Sequence, residues 1–127
     1  MHRPPTGLRR LTRALRRTLT RHRHAITVRV FLNRAPHSML DGYTPAAPLL
    51  LAYEYTVPAG RAPADAVILE RAFAAFNEHP EHPADSAHAD AWADKWLRSL
   101  SVGDVVAIDD RYYACHSVGW TRITAPA

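Results

Sequence analysis

Three histidines, His79, His82 and His88, fall close together in NEHPEHPADSAHAD, with Glu78, Glu81, Asp85 and Asp90 among them. Nitrogen and oxygen donors of these types hold zinc or another transition metal when three or four converge. Pro80 interrupts the helix that would align His79 with His82, and His88 belongs to the segment beyond Pro83. The same residues suit a solvated acidic, histidine-rich loop between two helices, so the sequence assigns no metal ligand and no cofactor. Cys115-His116 is a second candidate, a thiol beside an imidazole. Neighbours on a strand point to opposite faces, which separates nucleophile from base. A lone cysteine in an apolar strand reads as a small buried hydrophobe. Asp104, Asp109 and Asp110 make a third cluster, which turn chemistry explains, because Asp caps nearby amides and tolerates turn backbones. There is no Gly-rich phosphate loop, no GxSxG and no HExxH. No catalytic residue is assigned, and a metal- or thiol-dependent enzyme ranks third, behind two binding functions.

The first binding function rests on charge. Residues 1–25 hold Arg3, Arg9, Arg10, Arg13, Arg16, Arg17, Arg21 and Arg23 and no acidic residue. The remainder holds 8 basic and 12 acidic groups, a net −4 against +8 for the arm and +4 for the whole chain. Leu8, Leu11, Leu15 and Leu19 share one helical face with arginines around the rest, after Pro4, Pro5 and Gly7 have delayed any helix. Such an arm neutralises nucleic-acid phosphates, with Arg9, Arg10, Arg13, Arg16, Arg17, Arg21 and Arg23 as the contacts. Its leucines also suit an anionic membrane surface, or docking on the chain's own acidic body. Disorder is the plain alternative, and a translation start at Val28 would leave the arm outside the protein.

The second binding function is a protein–protein module built on Tyr112, Tyr113 and Trp120. If Tyr112 and Trp120 share an exposed sheet face, they stack bases or a peptide. Otherwise they cover the helices.

These residues need elements to position them. AITVRVFLN, Ala25 to Asn33, alternates Ile26, Val28, Val30 and Leu32 against Thr27, Arg29 and Phe31, a strand with one buried face. A loop with a turn at Asp41-Gly42 follows, then a second strand from Leu49 to Val57, stopped by Pro58. Ala64 to His79 reads as a helix, with Val67, Ile68 or Leu69, Ala72, Phe73 and Phe76 near helical spacing and Asp65 near its positive end. Ser86 to Leu100 reads as a second helix, capped by Ser86, with Trp92, Trp96 and Leu100 as its inner stripe. Val105–Ile108, Tyr112–Val118 and Trp120–Ile123 are short strands separated by turns at Asp109-Asp110 and Gly119. The order ββααβββ predicts an α+β domain over residues 26–127, a small mixed or antiparallel sheet with two helices on one face, behind a basic arm of residues 1–25.

With ITVRVFLNRAPHSMLDGYTPAAPLLLAYEYTV followed by RSLSVGDVVAIDDRYYACHSVGWTRI, the chain resembles small uncharacterised actinobacterial proteins. The second block also resembles, more loosely, the YodL-like domain of large polyvalent proteins of phages and conjugative elements. The resemblance covers most of residues 26–124 and excludes the arm. It implies a small α+β domain, a bacterial setting and an association with mobile elements; it implies no activity. Val102-Gly103-Asp104-Val105-Val106 is similar, over a handful of residues, to a turn that opens strands in SH3-like barrels.

The length, 127 residues, suits one domain with a core. Cys115 is the single cysteine, so no intramolecular disulfide forms, which fits a reducing, cytoplasmic compartment. No apolar run reaches the roughly 20 residues of a membrane span, and the N-terminal arginines are followed by no apolar stretch like that of a secretory signal. Lys95 is the one lysine among 16 basic residues, a bias that a GC-rich coding sequence produces without any functional cause.

Overall fold

The alternation in Ala25–Asn33 becomes strand β1, which buries Ile26, Val28, Val30 and Leu32 on one side. The structure, a computed structural model, describes residues 25–60 and 63–126. After β1 come a one-turn helix α1 (Ser38–Asp41), strand β2 (Leu49–Pro58) and helix α2 (Asp65–Ala75). A 3₁₀ turn (Pro83–Asp85) then leads into helix α3 (Ser86–Asp94), and strands β3 (Val105–Ile108), β4 (Arg111–Cys115) and β5 (Trp120–Ile123) complete the domain. The five strands form one sheet in the order β2-β1-β3-β4-β5, and every pairing is antiparallel. The domain is α+β.

The register fixes which side chains share a face, because residues directly paired across antiparallel strands point the same way. Val28 pairs with Tyr55 and Ile108, and Val30 with Tyr53 and Val106. Together with Ile68, Leu69, Ala72 and Phe76 of α2 and Trp92 of α3 they build the core on the helix side. The register slips between Val30 and Phe31, leaving Ala52 as the extra residue of a β-bulge. Lys95 Nζ reaches the Ala52 carbonyl at 3.4 Å.

Both helices are shorter than their sequence patterns. α2 ends at Ala75 and buries Ile68, Leu69, Ala72 and Ala75, while Val67 and Phe73 face outward. α3 ends at Asp94, because the amides of Lys95 and Trp96 bond three residues back, to Trp92 and Ala93, and close the last turn. Trp96 then takes a left-handed backbone, φ 57°, and its side chain is 95% exposed. The expected stripe of Trp92, Trp96 and Leu100 is therefore corrected: Trp92 lies in the core, Trp96 lies outside it, and Leu100 returns to it from the loop. The Leu100 amide donates to the Phe76 carbonyl at 3.2 Å, and Asn77 Nδ2 donates to the Leu100 carbonyl at 3.0 Å. Ser86 is not the cap of α3; Asp85 occupies that place, and His82 Nδ1 accepts from the Ala84 amide at the 3₁₀ turn. β4 stops at Cys115 rather than at Val118, which is exposed.

Asp104 ties these parts together. Its fully buried carboxylate accepts from the amides of Asn33 and Ser101, each at 2.8 Å, and from both Nη atoms of Arg98 at 2.7 Å. Gly103 beside it has φ 92°, and a Cβ there would stand 2.8 Å from the Ser38 carbonyl oxygen. Truncating a buried, ion-paired carboxylate strands its donors, at a cost of about 3–5 kcal/mol. Asp104→Ala is therefore expected to lower stability by that amount in urea titrations monitored by circular dichroism. Trp96→Gly is expected to act in the opposite direction, raising stability by up to about 1 kcal/mol through relief of the left-handed backbone.

Candidate functional site

The face of the sheet away from the helices carries Thr27, Arg29 and Phe31 from β1. Arg29 pairs with Ala107, which pairs with Tyr112, so Arg29 and Tyr112 flank a small alanine on the intervening strand. Nothing long rises between them, and they close over Ala107. Arg29 Nη2 donates to Tyr112 Oη and to the Asp109 carbonyl, each at 3.2 Å. The guanidinium carbon stands 5.7 Å from the Tyr112 ring centroid and 5.9 Å from that of Phe31. The two rings lie 6.3 Å apart, tilted by 36°. Val105 and Ala107, paired with Phe31 and Arg29 on this face, have no exposed surface. Ala46, Ala47, Pro48, Leu49 and Pro126 wall a groove of about 480 Å³ over these residues. The Arg34 amide bonds the Pro48 carbonyl at 2.8 Å and fixes that wall to β1.

Arg29 differs electrostatically from the body arginines that donate hydrogen bonds to carboxylates. Arg71 grips Asp85 with two bonds of 2.9 Å, Arg98 grips Asp104, and Arg111 grips Asp65 at 2.7 and 2.9 Å. These pairs are part of the scaffold. Arg29 has no carboxylate within ion-pair distance among the described residues. Glu54 pairs with it across the β1–β2 ladder and shares its face without closing to that distance. The Asp109 carboxylate is turned to the Thr27 amide, 2.9 Å away.

The hairpin aromatics divide between the two faces. Tyr113 and Trp120 point to α2, where Tyr113 Oη donates to Asp65 and Trp120 Nε1 donates to Glu70 Oε2 at 3.3 Å. Tyr112 alone of the three faces the groove. A surface shared by Tyr112 and Trp120 is therefore corrected: they lie on opposite sides of the sheet, because Trp120 pairs with Cys115 and Tyr112 with Ile123. Arg9, Arg10, Arg13, Arg16, Arg17, Arg21 and Arg23 lie outside the described residues.

The histidines separate likewise. His79 and His82 are exposed, while His88 packs between α3 and β2, with Nδ1 2.8 Å from Tyr53 Oη and its ring 4.5 Å from that of Tyr55. Among the described residues no three His, Cys, Asp or Glu side chains converge as a metal site would require. Cys115 is buried, and that burial pushes its thiol up to about 11, so it is a neutral thiol at ordinary pH. A second cavity, about 300 Å³, opens between the ends of α2 and α3 beside Phe76, Trp92 and Trp96.

The chain matches no family model, no curated protein and no solved structure. Alternation along β1 already placed Arg29 and Phe31 on the solvent side. What sequence reading missed was their meeting with Tyr112, a residue 83 positions away from Arg29.

The Asp65 cluster gives a pH signature. The Arg111 hydrogen bonds, then that of Tyr113, hold the Asp65 carboxyl below its ordinary value. A carboxyl lowered on folding adds stability above its unfolded value, about 3.9, and that contribution is lost as pH falls through the folded value. Asp65→Asn is expected to cost about 1 kcal/mol at pH 7, after solvent screening of a partly exposed pair. The difference from the parent protein should shrink as the pH falls below about 4, as read from urea midpoints across that range.

Proposed function

We propose that this protein is a non-enzymatic binding module that contacts nucleic acid, with the Arg-rich N-terminal arm supplying the attraction. The observation that carries the reading is charge segregation: +8 within residues 1–25 against −4 for the rest of the chain. The geometry of the domain sharpens it. Arg71, Arg98 and Arg111 are held by carboxylates, so they offer little to phosphates. A mildly acidic domain with these three arginines engaged repels a polyanion at long range, so on this reading the long-range attraction comes from the arm.

On this reading the domain serves as a binding module, with Cys115 buried and His88 packed against Tyr53 and Tyr55. The likeness of the C-terminal block to the YodL-like domain supports a mobile-element setting within the same proposal. No helix among the described residues is long and apolar enough to cross a membrane.

Fluorescence anisotropy with labelled duplex DNA, single-stranded DNA and RNA tests the reading. The full chain is compared with a variant carrying glutamine at Arg9, Arg10, Arg13, Arg16 and Arg17, with the fold checked by circular dichroism. Parent binding is expected to weaken steeply with salt. Removing five phosphate contacts is expected to flatten the log–log salt slope on duplex by up to roughly 4.5. Unchanged affinity and slope in the variant would remove the arm from the function.

A further inference from the structure

We infer that the groove of Arg29, Phe31 and Tyr112 is a base-stacking site for single-stranded nucleic acid. The inference rests on the nucleic-acid reading above and gives it a chemical preference that the arm alone lacks. Phosphate neutralisation by arginines alone does not distinguish strand state strongly. A sheet face with two aromatic rings does, because stacking needs the faces of bases, which a duplex hides within its own stack.

Four observations converge on this occupant. Phe31 and Tyr112 are half-buried, so each ring is fixed by its neighbours yet keeps surface toward the groove. Arg29 stands beside both rings, held by one nitrogen, while its Nε and Nη1 have no hydrogen-bond partner among the described residues. That leaves a planar cation able to take a phosphate or a base edge beside the stacked rings. The volume, about 480 Å³, falls within the roughly 300–1,000 Å³ of ligand clefts and is walled by small apolar residues rather than by acids. Finally, Arg29 lies on the strand that the arm feeds, about 13 Å along β1 from Ala25, so a nucleic-acid strand drawn in by the arm meets the groove next.

Glu54 opposes this arrangement. It shares the face with Arg29 and repels a phosphate there. The inference accordingly carries a sign for it: neutralising Glu54 strengthens single-strand binding.

The test uses the full chain, an oligothymidine of about a dozen nucleotides, and a duplex of equal length, at near-physiological salt. The parent protein is expected to prefer the single strand. Arg29→Gln and Tyr112→Leu are each expected to weaken single-strand binding roughly five- to fifty-fold while moving duplex binding by less than about twofold. Tyr112→Phe, which keeps the ring, should stay near the parent, and Glu54→Gln should bind the single strand more tightly. Because a groove variant can lose its fold, photo-crosslinking of the parent to 5-iodouracil oligonucleotides, mapped by mass spectrometry, gives a second readout, with Phe31 and Tyr112 as the expected adducts. Equal binding of both strand forms, with crosslinks confined to residues 1–25, overturns the groove and leaves the arm reading intact. Absence of binding to any nucleic acid overturns both. An acidic peptide that outcompetes the oligonucleotide and depends on Arg29 overturns the inference in favour of a protein partner.

Discussion

The Asp104 carboxylate is the point on which the domain turns. It has no exposed surface, and four donors from three parts of the chain meet it: the Asn33 amide at the end of β1, the Ser101 amide ahead of β3, and the Arg98 guanidinium after α3. A buried carboxylate is tolerable only when fully paired, so the pairing constrains as well as stabilises. It holds the start of β3 against the end of β1. Asn33 Nδ2 adds a bond of 2.9 Å to the Gly103 carbonyl, and Arg98 adds one of 3.1 Å to the Asn33 carbonyl. This junction fits the β1–β3 register, which places Val28 opposite Ile108 and Arg29 opposite Ala107.

Two faces with different chemistry result. On the helix side, Tyr53, Tyr55, Phe76 and Trp92 meet in a chain of tilted and edge-on ring contacts with centroids 4.6 to 6.5 Å apart. Around this core, Asp65 and Asp85 accept paired bonds from Arg111 and Arg71 and tie the helical layer to the sheet and to itself. On the other side, a small residue, Ala107, sits between Arg29 and Tyr112, and the wall of residues 46–49 leaves a groove rather than a covered core. The domain thus confines its carboxylate–arginine pairs largely to the scaffold, and one aromatic-flanked cation remains on the open face. Our proposal for nucleic acid draws on both this division and the charge of the arm.

Much of the architecture was legible in the sequence. The bounds of β1, β3 and β5 follow from alternation and turn residues, since strand periodicity is a property of local backbone geometry. Helix ends were not legible. Trp96 continues the spacing that Trp92 begins, yet α3 ends at Asp94, Trp96 takes a left-handed backbone, and the Leu100 amide bonds the Phe76 carbonyl instead of a helical partner. A helical pattern shows which residues could share a face; it does not show where the chain turns out of the helix.

The sequence by itself determined the α+β class, the strands with one buried side, the acid-free arm and the solvent-facing placement of Arg29 and Phe31. Only the tertiary structure decided that Tyr112 joins them while Tyr113 and Trp120 turn to α2. It also decided that His88 packs against tyrosines instead of gathering with His79 and His82. The physical reason is the range of the interactions. Periodicity and charge are written along neighbouring residues, whereas the groove depends on the register of β1, β3 and β4, set by contacts between residues some 70 to 83 positions apart.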